Sequence, residues 1–162
     1  MNIRRATPDD ADALVRIHGD MGDHYAELDP ALFQRPALED YAPVLAREIT
    51  DDPHVLQLVA EIDGQVVGAL DAELRPPHGD ARYAFTRDLN APRLRIDYLA
   101  TAAAHRRCGV GTALVQAAEA WGREHGAKVA ELTTYQDSPL AMPFWTGRAG
   151  YSQRSVNLRK EL

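Results

Sequence analysis

The chain has 162 residues, 45% hydrophobic and 26% charged, with a formal net charge of −6. This composition excludes a disordered chain and a fibrous repeat, and the single cysteine, Cys108, excludes an internal disulfide. The negative charge argues against a nucleic-acid partner, which would need a basic face. We expect one domain over residues 1–162, cytoplasmic and without a membrane span, since no apolar run approaches about 18 residues.

The first 36 residues predict a strand, a helix and an irregular connection. A strand is expected over residues 2–6, and a helix begins near Pro8, which suits a first helical position. Gly19 and Gly22 weaken the helical pattern. We therefore expect residues 20–36 to be irregular, and a connection of that length is more often functional than idle. It is a candidate wall of a substrate pocket.

The next elements are a second helix over residues 40–49 and a β-hairpin. The runs Val55–Ile62 and Gln65–Leu74 are rich in strand-forming residues and are separated by Asp63 and Gly64. An Asp-Gly pair between two such runs predicts a two-residue hairpin turn.

The second half alternates strands and helices. Expected in order are a polar loop 75–92, a strand Leu94–Thr101, a helix from about Gly109 to Gly126, a strand 128–134, a helix opened by Ser138 and Pro139, and one or two strands over 150–162. This order predicts an α/β fold with a mixed sheet and helices on its faces.

The turn between the third long strand and its helix contains Arg106, Gly109 and Gly111. Glycines allow close approach of the backbone to a phosphate, and N–H groups at a helix start can donate to its oxygens. Arg106 or Arg107 would add charge-assisted hydrogen bonds. A plain tight turn with two solvated arginines is the alternative reading. A dinucleotide fingerprint fits worse because Leu114 stands at its third glycine, and a Walker loop fits worse because no lysine directly follows Gly111.

The run LATAAAHRRCGVGTALVQAAEAWGREHG resembles motif A of the GNAT superfamily, the acyltransferases that use acyl-coenzyme A. Leu99, Ala100 and Thr101 match its strand-end triplet, and Arg106, Gly109 and Gly111 match its anchor positions. The order of elements matches over nearly the whole chain. The resemblance implies a GNAT-like fold, with a mostly antiparallel sheet, a splayed parallel strand pair and helices on both faces.

The resemblance also implies a site for acetyl-coenzyme A, with coenzyme A as the product. Backbone N–H groups of the turn would hold the pyrophosphate, and the pantetheine arm would add to the last strand residues like a further strand. A main-chain N–H near Leu99 would polarise the thioester carbonyl. The implied cofactor-binding residues are Leu99, Ala100, Thr101, Arg106, Arg107, Gly109, Val110, Gly111, Thr112, Ser138 and Trp145.

Two positions depart from the family pattern. Ser138 or a neighbour stands where the family often has Asn, and Trp145 or Thr146 stands where it has a Tyr that protonates the leaving thiolate. Neither side chain is a natural acid, and we interpret Trp145 as a packing wall. The implied activity is acetyl transfer to a primary amine by direct attack, without a metal. A non-catalytic acyl-coenzyme A binding or sensing module is the alternative.

The acceptor side is less defined. Asp97, two residues before Leu99 and hence expected on the same side of the strand, is the candidate general base. Its alternative role is a salt bridge to Arg93 or Arg95. Candidate substrate contacts, each of which could also be a packed or surface residue, are His24, Tyr25, Tyr98 and Tyr135.

The charge is unevenly distributed along the chain. Residues 1–74 carry 16 acidic and 5 basic side chains, whereas residues 75–162 carry 8 acidic and 13 basic ones. These could be ordinary solvated faces. They also fit a basic half that holds a polyanionic cofactor and an acidic half that attracts a cationic acceptor. The partner is expected to be a small-molecule or peptide amine, and a homodimer is left open.

Overall fold

A computed structural model describes residues 1–160. Its five-stranded mixed sheet has the order β1-β2-β3-β4-β5. The first four strands pair antiparallel, and β4 pairs with β5 in parallel. The strands are β1 (Asn2–Arg5), β2 (Val55–Ile62), β3 (Gln65–Arg75), β4 (Arg93–Thr101) and β5 (Val129–Leu132). The helices are α1 (Ala11–Leu28), α2 (Ala42–Glu48), α3 (Val110–Glu124) and the single turn α4 (Ala141–Pro143). Among residues 1–160 no helix combines the length and apolarity that a membrane span needs.

The predicted hairpin and mixed sheet are confirmed. Asp63 and Gly64 have φ angles of 50° and 77°, as a two-residue turn of the mirror-image type requires. One irregularity has consequences for the site: Asp71 pairs with Tyr98 and Ala72 with Ile96, so Asp97 has no partner on β3. Asp97 is therefore the extra residue of a β-bulge, and the alternation of side chains along β4 changes at that point.

The expected irregular stretch over residues 20–36 is wrong in its first part, because α1 continues to Leu28. The two glycines serve packing instead of ending the helix. A Cβ on Gly19 would lie 2.9 Å from Leu38, and a Cβ on Gly22 would lie 2.3 Å from Pro36. The glycines therefore let the connection after α1 pack directly on the helix, and this tertiary contact outweighs their low helix propensity.

The C-terminal expectations need correction as well. The last helix is only α4 followed by a π-helical turn, Phe144–Arg148. The strands expected over 150–162 are absent from residues 151–160, which have no regular structure; residues 161 and 162 lie outside the described part. Strand β5 is shorter than the expected 128–134.

The main core lies between the sheet and α3. It contains Leu70, Leu94, Ile96 and Leu114, each at most 3% exposed. The amphipathic α3 covers this face, whereas α1 packs against β3 and β4 on the other. Helices therefore cover both faces of the sheet, as expected.

Gly68 on β3 sets how closely α3 approaches the sheet. A Cβ there would lie 2.5 Å from Val110 Cγ1 and 3.3 Å from the Ala100 carbonyl oxygen. We expect Gly68→Ala to lower the free energy of unfolding by about 1–3 kcal/mol, as overpacking does, measured by urea denaturation. Gly79→Ala, where a Cβ meets nothing within 4 Å, is the control. Equal unfolding midpoints for the two variants would contradict this tight packing.

Candidate active site

A cleft of about 730 Å³ opens at the end of β4 where α3 begins. One wall is the later part of α1, and the opposite wall is α4 with its π-helical turn. The floor is formed by Leu99, Ala100 and Thr101 of β4. The cleft therefore joins the strand end to the turn 105–112, which also lines it.

Strands β4 and β5 separate beside this cleft. They pair only over Arg93–Ile96 and Val129–Leu132, although β4 continues to Thr101. On its other side β4 stays paired with β3 up to Thr101. The final residues of β4 thus have no neighbouring strand on the β5 side, and main-chain groups there can bind an extended ligand. This splayed parallel pair was expected.

The turn before α3 presents several main-chain donors. The N–H of Ala113 donates to the Gly109 carbonyl at 3.0 Å. The N–H groups of Val110, Gly111 and Thr112 lie before this first intrahelical hydrogen bond and therefore have no acceptor within α3. Gly109 has φ 85°, and a Cβ there would meet nothing within 4 Å, so this backbone is open to a ligand. Such a helix start suits an anion.

Two arginines of the turn have different surroundings. Arg106 Nη2 donates to the main-chain oxygen of Asp20 at 3.0 Å, and the Asp20 carboxylate accepts from the N–H of Ala103 at 2.6 Å. Arg106 therefore fastens the turn to α1. Arg107 lines the cleft with φ 65°, a left-handed conformation that is costly for a side chain. Arg148 also lines the cleft. Arg148 was not predicted as a site residue from the sequence, because only the fold brings its turn opposite α3.

The opposite wall explains the departures at residues 138 and 145. Ser138 is 3% exposed, and its hydroxyl accepts a hydrogen bond from the N–H of Ala141 at 3.1 Å. A π turn accommodates one additional residue in a helix. Here it places Trp145 in the core at 7% exposure, while the Thr146 hydroxyl donates to the Met142 carbonyl. Neither residue at the expected tyrosine position presents an acid to the cleft.

Three of the four candidate substrate contacts lie together and Tyr98 lies apart from them, since the ring of Tyr25 also contacts that of Tyr135 at 6.4 Å between centroids. His24 and Tyr25 line the cleft, with their ring centroids 5.4 Å apart. His24 Nε2 is buried and has no hydrogen-bond partner within residues 1–160. The Tyr135 hydroxyl donates to Asp29 at 2.7 Å, and this bond raises the pKa of Tyr135 to about 12. Tyr98 lies outside the cleft lining, against His18 of α1 at 6.1 Å between centroids.

Asp97 differs from expectation in its orientation. Ile96 and Leu99 both pack against the α3-side core although they are three residues apart. Because the bulge at Asp97 changes the alternation, Asp97 and Leu99 do not share a face of the strand. Asp97 forms the alternative salt bridge, with Arg95 Nε at 3.0 Å from its Oδ1, and its side chain is 45% exposed.

A polar cluster that the sequence reading missed lies on the α1 face beside the bulge. Asp71 of β3 stands opposite Tyr98 in the strand register. Burial raises the pKa of Asp71 to about 6, with further contributions from the negative charges of Asp97 and Glu48. Burial also raises the pKa of Tyr98, and the Asp71 charge adds to the effect. No sequence signal marks Asp71, because its neighbours come from three separate parts of the chain.

Two rings from the helices complete this cluster. His18 of α1 lies between Tyr98 and Tyr41, which precedes α2, with its centroid 5.4 Å from that of Tyr41. Burial, together with the charges of Glu48 and Asp71, raises the pKa of Tyr41. We refer to Asp71, Tyr98, Tyr41 and His18 as the bulge cluster. Among residues 1–160, no group of three or more His, Cys, Asp or Glu side chains could hold a metal ion.

The splayed strands and the turn rich in main-chain donors are typical of an acetyltransferase, and comparison with known proteins shows the family. The model of the acetyltransferase (GNAT) family matches residues 20–151, and the chain belongs to this family. It is 32% identical over 122 residues to acetyl transferase GW6a of Oryza sativa subsp. japonica. That match covers 71% of this chain and 28% of the rice protein. The chain thus spans less than a third of this relative.

Solved structures share the fold over their whole length. A transcriptional regulator from Bacillus halodurans C-125 has a TM-score of 0.73 at 23% identity, with 99% of each chain covered. An aminoglycoside acetyltransferase from an uncultured soil metagenomic sample, in complex with sisomicin, has a TM-score of 0.66 at 17% identity. There the coverage is 99% of this chain and 95% of that one. At such identities the likeness concerns the fold alone.

The burial of Asp71 predicts a pH-dependent stability difference between the protein and Asp71→Asn. The pKa of this carboxyl is about 6 in the folded chain against an ordinary value of 3.8, so the wild type loses stability relative to the variant as pH rises through this window. The difference corresponds to about 3 kcal/mol at most. Urea titrations at about pH 3 and about pH 7 measure it.

The matched control is Glu73→Gln, which removes a charge from the same strand at a side chain that is 40% exposed and paired with Arg75. Surface pairs of this kind contribute little to stability. If the difference in the free energy of unfolding between wild type and Asp71→Asn does not change with pH, the Asp71 carboxylate is solvated.

Proposed function

We propose that the protein transfers an acetyl group from acetyl-coenzyme A to the primary amine of a cationic acceptor by direct attack. One observation supports this most strongly: a single cleft connects the donor-rich start of α3 with the unpaired end of β4. A polyanionic head and an extended, amide-containing arm need these two surfaces in this order.

The residues of the cleft fit the cofactor in three parts. The pyrophosphate would rest on N–H groups of the turn and the start of α3, with charge from the arginines that line it. The pantetheine arm would pair with Leu99, Ala100 and Thr101, and Ser138 and Trp145 would bound it on the other side. The residues that we assign to the pyrophosphate are Arg106, Arg107, Gly109, Val110, Gly111 and Thr112. Arg106 would contribute by fastening the turn to α1.

When bound, acetyl-coenzyme A would supply the acetyl group as an activated thioester. A main-chain N–H near Leu99 would donate to its carbonyl oxygen and stabilise the charge that develops there. A thiol has a pKa near 8.5, so the leaving thiolate needs little help from an acid. This is consistent with Trp145 being buried in the core instead of offering an acidic proton to the cleft.

A cationic acceptor is supported by the charge of the chain and by one relative of the same fold. Acidic side chains dominate residues 1–74, which supply α1, α2 and β3. The soil acetyltransferase of similar fold was solved with sisomicin, an aminoglycoside. His24 and Tyr25, which line the cleft from α1, would contact the acceptor, and Tyr135 would hold Asp29 at its rim.

Thiol release tests the activity directly. The protein is mixed with acetyl-coenzyme A and, separately, with sisomicin, spermidine and a lysine-containing peptide, and free thiol and acetylated product are measured. We expect thiol release that depends on an amine, with one thiol per acetylated product. A melting temperature raised by coenzyme A without thiol release from any amine would favour the non-catalytic binding module.

Gly111→Val tests the cofactor site. A Cβ at Gly111 would lie 3.5 Å from Phe144 and 3.8 Å from Leu99, which is ordinary van der Waals contact, and all three residues line the cleft. We expect at least about a tenfold weaker Kd for coenzyme A in isothermal titration, about 1.4 kcal/mol. The melting temperature without ligand should stay close to that of the wild type.

Gly111→Ala provides the graded comparison, because it adds only the one methyl group. Its affinity should fall between those of the wild type and Gly111→Val. Unchanged coenzyme A affinity in Gly111→Val would show that coenzyme A does not bind in the cleft beside Gly111.

A further inference from the structure

We propose that Asp71 is the carboxylate that takes the proton from the acceptor ammonium, in a subsite framed by the rings of Tyr98 and Tyr41. This role rests on the proposed acetyl transfer. It assigns the residue that deprotonates the acceptor and requires an acceptor that carries a positive charge. It concerns the face of the sheet that α1 and α2 cover, next to the strand segment assigned to the thioester.

The bulge in β4 places Asp71 close to the reacting position. Asp71 stands opposite Tyr98, and the next pair in the register is Leu70 with Leu99. Leu99 lies in the segment of β4 after Ile96 that lacks a β5 partner, and it borders the cleft. A group on the α1 face at Asp71 is therefore one register position from the main chain that would hold the acetyl carbonyl.

The oxygen atoms of the bulge cluster have no hydrogen-bond partners in the part of the chain that the structure describes. Within residues 1–160, neither the Asp71 carboxylate nor the hydroxyls of Tyr98 and Tyr41 make a hydrogen bond, and each of the three residues is half-buried. The fully buried side-chain atoms without a partner in the described part of the chain are His24 Nε2 and His105 Nδ1, so the oxygens of the bulge cluster still reach solvent and are open to a ligand. An ammonium has three N–H donors and no acceptor, and so matches a carboxylate and two hydroxyl oxygens.

The rings add a second kind of recognition. His18 lies against both tyrosines and fixes their positions between α1, α2 and β4. A cation near the face of a tyrosine ring is attracted by its quadrupole, and the attraction grows as water is excluded. The subsite therefore favours a charged primary amine over a neutral alcohol of the same size.

Proton transfer follows from the charges around Asp71. An alkyl ammonium with a pKa near 10.4 is almost wholly protonated at neutral pH and cannot attack. Burial raises the proton affinity of Asp71, and the charges of Asp97 and Glu48 raise it further. The other titratable groups of the cluster are Tyr98, Tyr41 and His18. Asp71 takes one proton from the ammonium, and the freed nitrogen lone pair forms the C–N bond as the C–S bond breaks.

The atoms balance without any further reagent. The ammonium and the acetyl thioester give an amide, a thiol and one proton. The nitrogen loses its first proton to Asp71, which releases it to solvent, and its second proton, after the C–N bond has formed, goes to the thiolate. Asp97 has a different part in this scheme. It is paired with Arg95 and 45% exposed, so it acts on Asp71 through its charge and does not contact the amine.

The experiment compares Asp71→Asn, Asp97→Asn and Glu73→Gln with the wild type, using sisomicin and spermidine as acceptors from about pH 6.5 to about pH 10. For Asp71→Asn we expect kcat/KM at neutral pH to fall at least about tenfold and the loss to shrink as pH nears the pKa of the amine. The Kd for coenzyme A should not change, and Glu73→Gln should match the wild type. Asp97→Asn should shift the pH profile to lower pH and lose less activity.

Each outcome separates the two proposals. A wild type that releases no thiol with any amine overturns the acetyl transfer itself. An active wild type with an Asp71→Asn profile identical to that of Glu73→Gln overturns the role of Asp71 and leaves the acetyl transfer standing. A loss confined to Asp97→Asn would assign the base to Asp97. Circular dichroism and melting temperature confirm folding, and Asp71→Glu, which keeps a carboxylate, should restore part of the activity if Asp71→Asn proves unstable.

Discussion

The departure of β4 from regular strand pairing is the constraint on which the rest of the site depends. After Ile96 the strand loses its parallel neighbour, and at Asp97 it gains one residue relative to β3. The first change leaves main-chain groups without a strand partner beside the cleft. The second turns Tyr98 towards α1 and Leu99 towards α3. A regular strand would offer neither an edge for an extended ligand nor polar side chains beside it.

The two faces of β4 thereby receive different chemistry. The α3 face carries a helix start rich in free N–H groups, which suits an anion. The α1 face carries the bulge cluster, in which Asp71 lies among other carboxylates and aromatic rings. The charge separation along the chain follows the same division, because α1, α2 and β3 come from its acidic half. An anionic donor and a cationic acceptor would then approach one strand from opposite sides.

The sequence predicted features that depend on near neighbours. The Asp63–Gly64 turn, the strand before Arg106 and the helix after Gly109 are set by residues within a few positions of one another. Features that depend on distant contacts were missed. Gly19 and Gly22 suggested the end of a helix, yet they allow Leu38 and Pro36 to pack on α1. The one-residue excess near Trp145 was visible, but only the fold shows that a π turn absorbs it.

The family and the location of the glycine-containing turn before α3 were predicted from the sequence alone, because a strand, two spaced glycines and a helix form a local unit whose geometry follows from its residue types. The tertiary structure decided which carboxylate is buried on the α1 face of the sheet beside the bulge. Alternation along β4 placed Asp97 with Leu99, and a single unpaired residue reversed that relation. Asp71, Tyr98, Tyr41 and His18 come together only when four separate segments pack, so burial and charge repulsion at Asp71 are properties of the fold.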